Sequence, residues 1–372
     1  MQVISSNPRP DFEKKVDSLG LKWQKFYWLE DKYYKFTPDQ INTIAKATEE
    51  LHQMFLEAGE FVVNSDKLTS HFDIPREFVP EVIRSWNEEP DCLNYGRFDL
   101  GYDGVNPPKL FEYNCDTPTS LLEASVIQWD WKNDLFPESD QFNNIHEKFV
   151  EAYAKFVGKK IHFCGIRDTL GEDLTTIGYH MDLAQQAGAN VEFIDAFDIG
   201  VRNSNSQFVD MKEQDISILF HLYPWEWMLN EKFGKHILKS KTTYIEPIWK
   251  SIWSNKAILP VLSYLFPDSP YLLNASFDQP VGEVDYVKKP TLSREGANIT
   301  IFRKGKSEES TGGTYGEGRH IYQELYELPN FNGHYPVIGS WCVNGESVGI
   351  GIREDNLITA NSARFIPHII GE

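Results

Sequence analysis

Residues Gly96–Glu123 read GRFDLGYDGVNPPKLFEYNCDTPTSLLE: two short strands around a Pro-rich turn, then a polar bend that leads into a helix. Arg97, Asp99, Glu112 and Asn114 are spaced so that a hairpin can bring all four together. Three oxygen-bearing side chains beside a guanidinium suit a hard cation that carries phosphate. Mg²⁺ takes one or two carboxylates together with phosphate oxygens and retained waters, so Asp99, Glu112 and Asn114 form a sufficient ligand set without a closed protein cage. Arg97 then faces the anion. The plain alternative is an Asp and a Glu on the solvent face of a hairpin.

The segment Glu112-Tyr113-Asn114-Cys115-Asp116-Thr117-Pro118-Thr119-Ser120 weighs against that alternative, because polar residues crowd a strand end with no evident structural need of them. Together with Arg97-Phe98-Asp99 it resembles the glutathionylspermidine synthase-like family of ATP-grasp amide ligases. The resemblance extends over most of the chain. It is strongest to the shorter, stand-alone members labelled acid–amine ligases, which lack the amidase domain of the bifunctional enzymes.

A chain of 372 residues is long for one simple core and points to two or three packed lobes. A formal net charge of −19 with no basic cluster excludes a nucleic-acid partner and favours cationic substrates such as amines, although solubility explains the same charge. Cys92, Cys115, Cys164 and Cys342 form no C-x-x-C pair, so neither a zinc site nor a disulfide framework is expected, and a reduced, cytoplasmic setting follows. Cys115 reads as a small buried thiol. No apolar run reaches a membrane-spanning length, and no signal core opens the chain.

Thr37-Pro38-Asp39-Gln40 announces a helix, with Thr37 as N-cap and Gln40 completing a capping box; the apolar spacing from Ile41 to Ala58 carries it to Gly59. Ser120–Lys132 is a second helix, whose Trp129 and Trp131 read as packing residues. From Gly158 the pattern changes: strand Lys160–Gly165, helix Glu172–Ala187, strand Asn190–Asp195 and strand Ile216–Leu222 predict a parallel βαβ lobe. Ligands gather at the carboxyl ends of such strands, where Arg167-Asp168 and Glu172-Asp173 fall. Those acids serve the helix dipole equally well. After the third strand, the amphipathic Trp225 and Trp227 could floor a pocket, with core packing the default reading, and Glu226 is a weak candidate for an amine.

Lys256 begins a helical segment, and Lys289 closes a strand that runs into the small-residue loop Thr291-Leu292-Ser293-Arg294-Glu295-Gly296-Ala297-Asn298. Such a loop can fold over a triphosphate with its N–H groups while two lysines supply point charges. No Walker P-loop is present, and Gly349-Ile350-Gly351 lies inside a strand-like run. Asn344-Gly345 between two apolar runs, Val337–Val343 and Ser347–Ile352, signals a tight hairpin, and Arg353 leaves its second strand.

The order in which metal ligands precede phosphate lysines resembles the permuted arrangement of the glutathionylspermidine synthase-like branch. The resemblance implies an α+β / α/β protein: an ATP-grasp fold of permuted motif order with an additional open α/β, preATP-grasp-like lobe. Its parts would be a helical region and metal hairpin over 1–157, a substrate lobe over 158–245 and a nucleotide-binding region over 246–372. It also implies ATP and Mg²⁺ as cofactors and an acyl-phosphate route from acid and amine to amide. Arg97 would stabilise the transferring group. Phe98, Glu295, Gly296, the hinge strand edge at Gln323, Glu324 and Leu325, and Ile358-Thr359-Ala360 would contact nucleotide. Thr117 would meet a peptide-like acid, Glu172 and Asp173 the amine, and Arg353 the acid or its activated phosphate. The rivals are a nucleotide-binding protein without ligase activity and a glycoside hydrolase, whose paired carboxylates need neither lysine.

Overall fold

The computed structural model describes residues 1–22, 27–65, 68–89, 92–166, 171–360 and 363–371. The quoted stretch folds as the expected hairpin. Strands Tyr95–Gly101 and Lys109–Asn114 pair antiparallel with Arg97 opposite Asn114 and Asp99 opposite Glu112. They join three late strands in one antiparallel sheet ordered Arg364–Ile366, Glu346–Asp355, Tyr335–Val343, Tyr95–Gly101, Lys109–Asn114. The Asn344-Gly345 turn is there, both residues at positive φ, as a two-residue hairpin between right-twisted strands requires. Arg353 does not leave its strand: it pairs within it, opposite Val337 and Phe365.

Thr37 caps a helix over Pro38–Val63, and both bonds of the capping box form. This helix passes through Gly59 instead of ending there. A Cβ at 59 would come within 2.2 Å of the Trp86 ring and 2.8 Å of the Trp253 ring, so the glycine admits two tryptophans. The second helical segment contains a π-turn, Glu123–Ile127, before its α-helical part Gln128–Leu135. Trp131 is fully buried, but Trp129 is exposed and stacks beneath the Lys132 ammonium, 4.5 Å from the ring centroid.

The βαβ expectation holds: strands Lys160–Gly165, Asn190–Asp195 and Ile218–His221 are parallel, with helix Glu172–Gln186 as the crossover. A fourth parallel strand, Thr243–Ile245, extends the sheet. A second antiparallel sheet runs Ala275–Ser276, His320–Glu324, Tyr286–Pro290, Thr300–Arg303, Lys306–Ser310. Its His320–Glu324 strand stops where its partner begins, Tyr286 facing Glu324. A third sheet ties the termini together: Lys32–Phe36 lies between Gln2–Ser5 and His368–Ile370. The four cysteines are buried and none is in a disulfide. Among the described residues, no helix is long and apolar enough to cross a membrane.

Candidate functional site

The two antiparallel sheets and the parallel lobe enclose an open cavity of about 300 Å³. Every described site residue inferred from sequence lines it except Phe98 and the weak candidate Glu226. Successive strand residues point to opposite faces, so while Arg97 and Asp99 face the cavity, Phe98 enters the core. There it is fully buried and stacks on Tyr113 with ring centroids 3.7 Å apart. Arg167, Asp168 and Asn361 lie outside the described residues.

Charge is concentrated at the hairpin. Asp99 is held from two sides, by Arg97 Nε at 2.9 Å and Arg353 Nη2 at 2.6 Å. Glu112 pairs with Lys256 Nζ at 2.9 Å. Burial alone would raise the Glu112 carboxyl, but Lys256, Lys289 and Arg353 outweigh it and hold it well below the usual range. Asn114 joins the two acids, its Nδ2 donating to Asp99 Oδ2 at 3.2 Å and to Glu112 Oε1 at 3.4 Å. These three converging oxygen donors have the chemistry of a hard-cation site, provided the Asn114 amide turns its oxygen inward.

Lys289 is anchored across the gap between sheets: its Nζ donates to Gln323 Oε1 at 2.6 Å and to Phe111 O at 3.2 Å. Burial lowers its pKa to about 8 despite the attraction of Glu112. Lys256 does not begin the helix, which starts at Ile258; it sits in the turn before, with its N–H on Thr291 O and its Nζ on Ser293 O, both in the small-residue loop. That loop lines the cavity through Ser293, Arg294, Glu295 and Gly296. Glu295 and Gly296 are both left-handed, and a Cβ at 296 would stand 2.5 Å from Thr359 O, so glycine lets the loop touch the Ile358–Ala360 segment.

The Gln323 to Leu325 segment faces the cavity, but its strand is not an edge. Ala275 pairs with Gln323, and the Glu324 N–H is already donated to Asn274 O. Glu172 and Asp173 stand in the first turn of their helix at the lobe side of the cavity. Glu226 is neutralised: it accepts from Arg294 Nε at 2.9 Å.

Arg294, Asp116 and Tyr27 escaped the sequence reading. Arg294 bridges loop and lobe, donating to Thr117 Oγ1 at 2.6 Å with Asp116 Oδ2 at 3.8 Å and the Trp227 ring beside it. Burial pushes Asp116 up to about 6, with His221 and Arg294 opposing and Glu226 reinforcing. Trp225 is core as expected, whereas Trp227 lines the cavity. An arginine in a loop that already holds a phosphate-type signature was the available sign for Arg294. Tyr27 carried none, because what places it is a contact with Ser120, 93 positions away.

A two-sheet cavity that faces ammonium groups with carboxylates, lined by a glycine-bearing loop and flanked by a parallel lobe, belongs to the glutathione synthetase-like class of folds. A glutathione synthetase-like effector from Globodera pallida superposes with TM-score 0.56 at 9% identity, covering 98% of this chain and 100% of that one. The family model described as "Glutathionylspermidine synthase preATP-grasp" matches residues 3–371, and the chain belongs to that family. A Haemophilus influenzae protein named "Putative acid--amine ligase" is 39% identical, with 99% of each chain covered. Trypanothione synthetase of Crithidia fasciculata is 30% identical over 87% of this chain, and the Escherichia coli bifunctional glutathionylspermidine synthetase/amidase 25% over 91%. The chain spans 54% and 59% of the lengths of these last two.

Proposed function

We propose that this protein is an ATP- and Mg²⁺-dependent acid–amine ligase that joins a glutathione-like peptide to a polyamine through an acyl phosphate. In this reading residues 1–157 and 246–372 together build a permuted ATP-grasp core, and 158–245 is the substrate lobe. The observation that carries it is the direct contact between Glu112, from the early hairpin, and Lys256, from the late segment, in a cavity that also holds Asp99 and Lys289. Carboxylates and ammonium groups that pair with each other can instead grip a magnesium-charged triphosphate from opposite sides.

Asp99, Glu112 and Asn114 would hold Mg²⁺, which neutralises phosphate oxygens when bound. Lys256 and Lys289 would exchange their present acceptors for phosphate. Arg97, fixed by Asp99 and by its 2.5 Å bond to Thr119 O, keeps one orientation and would stabilise charge on the transferring group. Gln323 to Leu325 and Ile358 to Ala360 would flank the base, with the Leu325 backbone its contact beyond the strand end. Phe98 would hold the strand by packing, with Glu295 and Gly296 closing the loop over the nucleotide. Thr117 and Arg353 would receive the acid. The acids Glu172 and Asp173 would attract the amine.

Purified protein with Mg–ATP, glutathione and spermidine should release ADP only when acid is present and yield a product with the mass of the condensed amide. No ADP release with any small peptide and amine, despite Mg–ATP binding, would leave only a nucleotide-binding role. A crystal with a nonhydrolysable ATP mimic in which Asp99 and Glu112 lie far from the triphosphate would end the reading.

A further inference from the structure

Behind the lobe side of the cavity lies a carboxyl group that none of these roles employs. Glu123 is 1% exposed, and its Oε1 has no hydrogen-bond partner among the described residues. A buried carboxylate kept only for structure is normally paired with a cation or fully hydrogen-bonded, since an unsatisfied one costs stability. The backbone that carries it is also unusual. Ser120 holds a left-handed φ of 66°, rare for a residue with a Cβ, and the helix that follows opens with the π-turn Glu123–Ile127. Strained residues and π-turns concentrate at functional sites.

The cavity-lining side chain that reaches toward Glu123 is Tyr27, whose ring stands beside Ser120 and Glu172 and whose hydroxyl shares a 3.1 Å hydrogen bond with Ser120 Oγ, three residues before Glu123. The same hydroxyl is near enough to Glu123 to stabilise the carboxylate by hydrogen bonding. The groups that face this pair are Glu172 from the lobe helix, Arg97 from the hairpin and Arg353 from the late strand.

We propose that Glu123, acting through the Tyr27 hydroxyl, accepts the proton that the incoming ammonium must lose before it can attack. This rests on the ligase reading and adds to it the proton path. One ammonium N–H bond breaks and an O–H bond forms on Tyr27 as Tyr27 passes its own proton to the Glu123 carboxylate. The net change is ammonium to amine and carboxylate to carboxylic acid, and the freed electron pair on nitrogen attacks the acyl carbon. Burial, reinforced by Glu172, raises Glu123 to about 7 against the pull of its own backbone N–H, then of Tyr27 and Arg97. A carboxyl poised there accepts a proton at neutral pH far better than an ordinary glutamate, while a primary alkylamine stays protonated without help.

The test compares two nucleophiles under Mg–ATP and glutathione: spermidine, protonated at neutral pH, and hydroxylamine, largely uncharged there. Glu123→Gln and, independently, Tyr27→Phe should lower the spermidine-to-hydroxylamine rate ratio about a hundredfold. Wild-type spermidine turnover should rise through neutral pH to a plateau, and in Glu123→Gln it should keep rising with the free-amine fraction. An unchanged ratio in Tyr27→Phe, or equal losses with both nucleophiles, overturns the proposal and makes the pair structural. A wild-type protein inert to both nucleophiles refutes the ligase reading itself.

Discussion

Lys250 and Lys256 stand close in sequence and each pairs with a glutamate, but the two pairs differ in what surrounds them. Lys250 Nζ meets Glu246 Oε2 at 3.3 Å, Asn94 Oδ1 at 3.0 Å and Tyr95 O at 3.4 Å, with the Trp253 and Trp249 rings 4.8 and 5.0 Å away. Glu246 Oε1 in turn accepts the Asn94 N–H, and neither side chain is exposed. Lys256 meets Glu112 at 2.9 Å, but Glu112 is 28% exposed to the cavity, and among the described residues its remaining oxygen has only the long Asn114 contact. The first pair is surrounded by protein on every side, so no ligand can reach it. The second is open to replacement, and an incoming anion and cation can each take one partner. Identical chemistry thus serves cohesion in one place and binding in the other, and enclosure decides which.

The largest expected effect falls on the enclosed pair. Lys250→Met leaves Glu246 as an uncompensated buried charge and should cost about 4 kcal/mol of unfolding free energy in urea titrations. Lys256→Met should cost under about 1 kcal/mol by the same measurement, because Glu112 can turn toward solvent, yet lower ADP formation about a hundredfold. Equal stability losses in the two variants would erase the distinction.

Next in size is Arg97→Ala. Removing a charge held in one orientation by Asp99 and Thr119 should raise the barrier by about 3 kcal/mol, roughly a hundredfold or more in rate. ATP affinity should persist, since Lys256 and Lys289 remain. Wild-type turnover in this variant would remove Arg97 from the mechanism.

What the sequence disclosed and what it withheld divide along the range of the interactions. The hairpin register, the Thr37 capping box, the Asn344-Gly345 turn and the βαβ unit are local patterns, each set by residues within one or two elements. The late strands that complete the hairpin's sheet are a different matter: Trp341 pairs with Arg97 across more than two hundred positions, and no local period announces that. Gly59 misled because its reason is two tryptophans from other segments. Phe98 misled because a three-residue motif says nothing of which face each residue takes. The enclosed Lys250 passed unnoticed for a related reason: its partners Asn94 and Tyr95 come from the other end of the core.

The smallest effect is the most diagnostic of a site held ready for a ligand, and it has the opposite sign. Lys289 titrates near 8 in the folded protein against an ordinary 10.5, because burial disfavours its charge. Below pH 8 both folded and unfolded chains hold this proton, and the folded form carries the full penalty. Between pH 8 and 10.5 the unfolded chain holds more of it, so stability rises with pH across that window. Lys289→Met removes a penalty of about 3 kcal/mol and forfeits the bonds to Gln323 and Phe111 O, worth about 1 kcal/mol. The ligand-free variant should therefore be about 2 kcal/mol more stable than wild type at pH 7, with the gap closing by pH 10, while its affinity for Mg–ATP falls. Urea titrations at both pH values measure the difference directly, and a variant less stable at pH 7 would mean that Lys289 is cemented into the fold as Lys250 is.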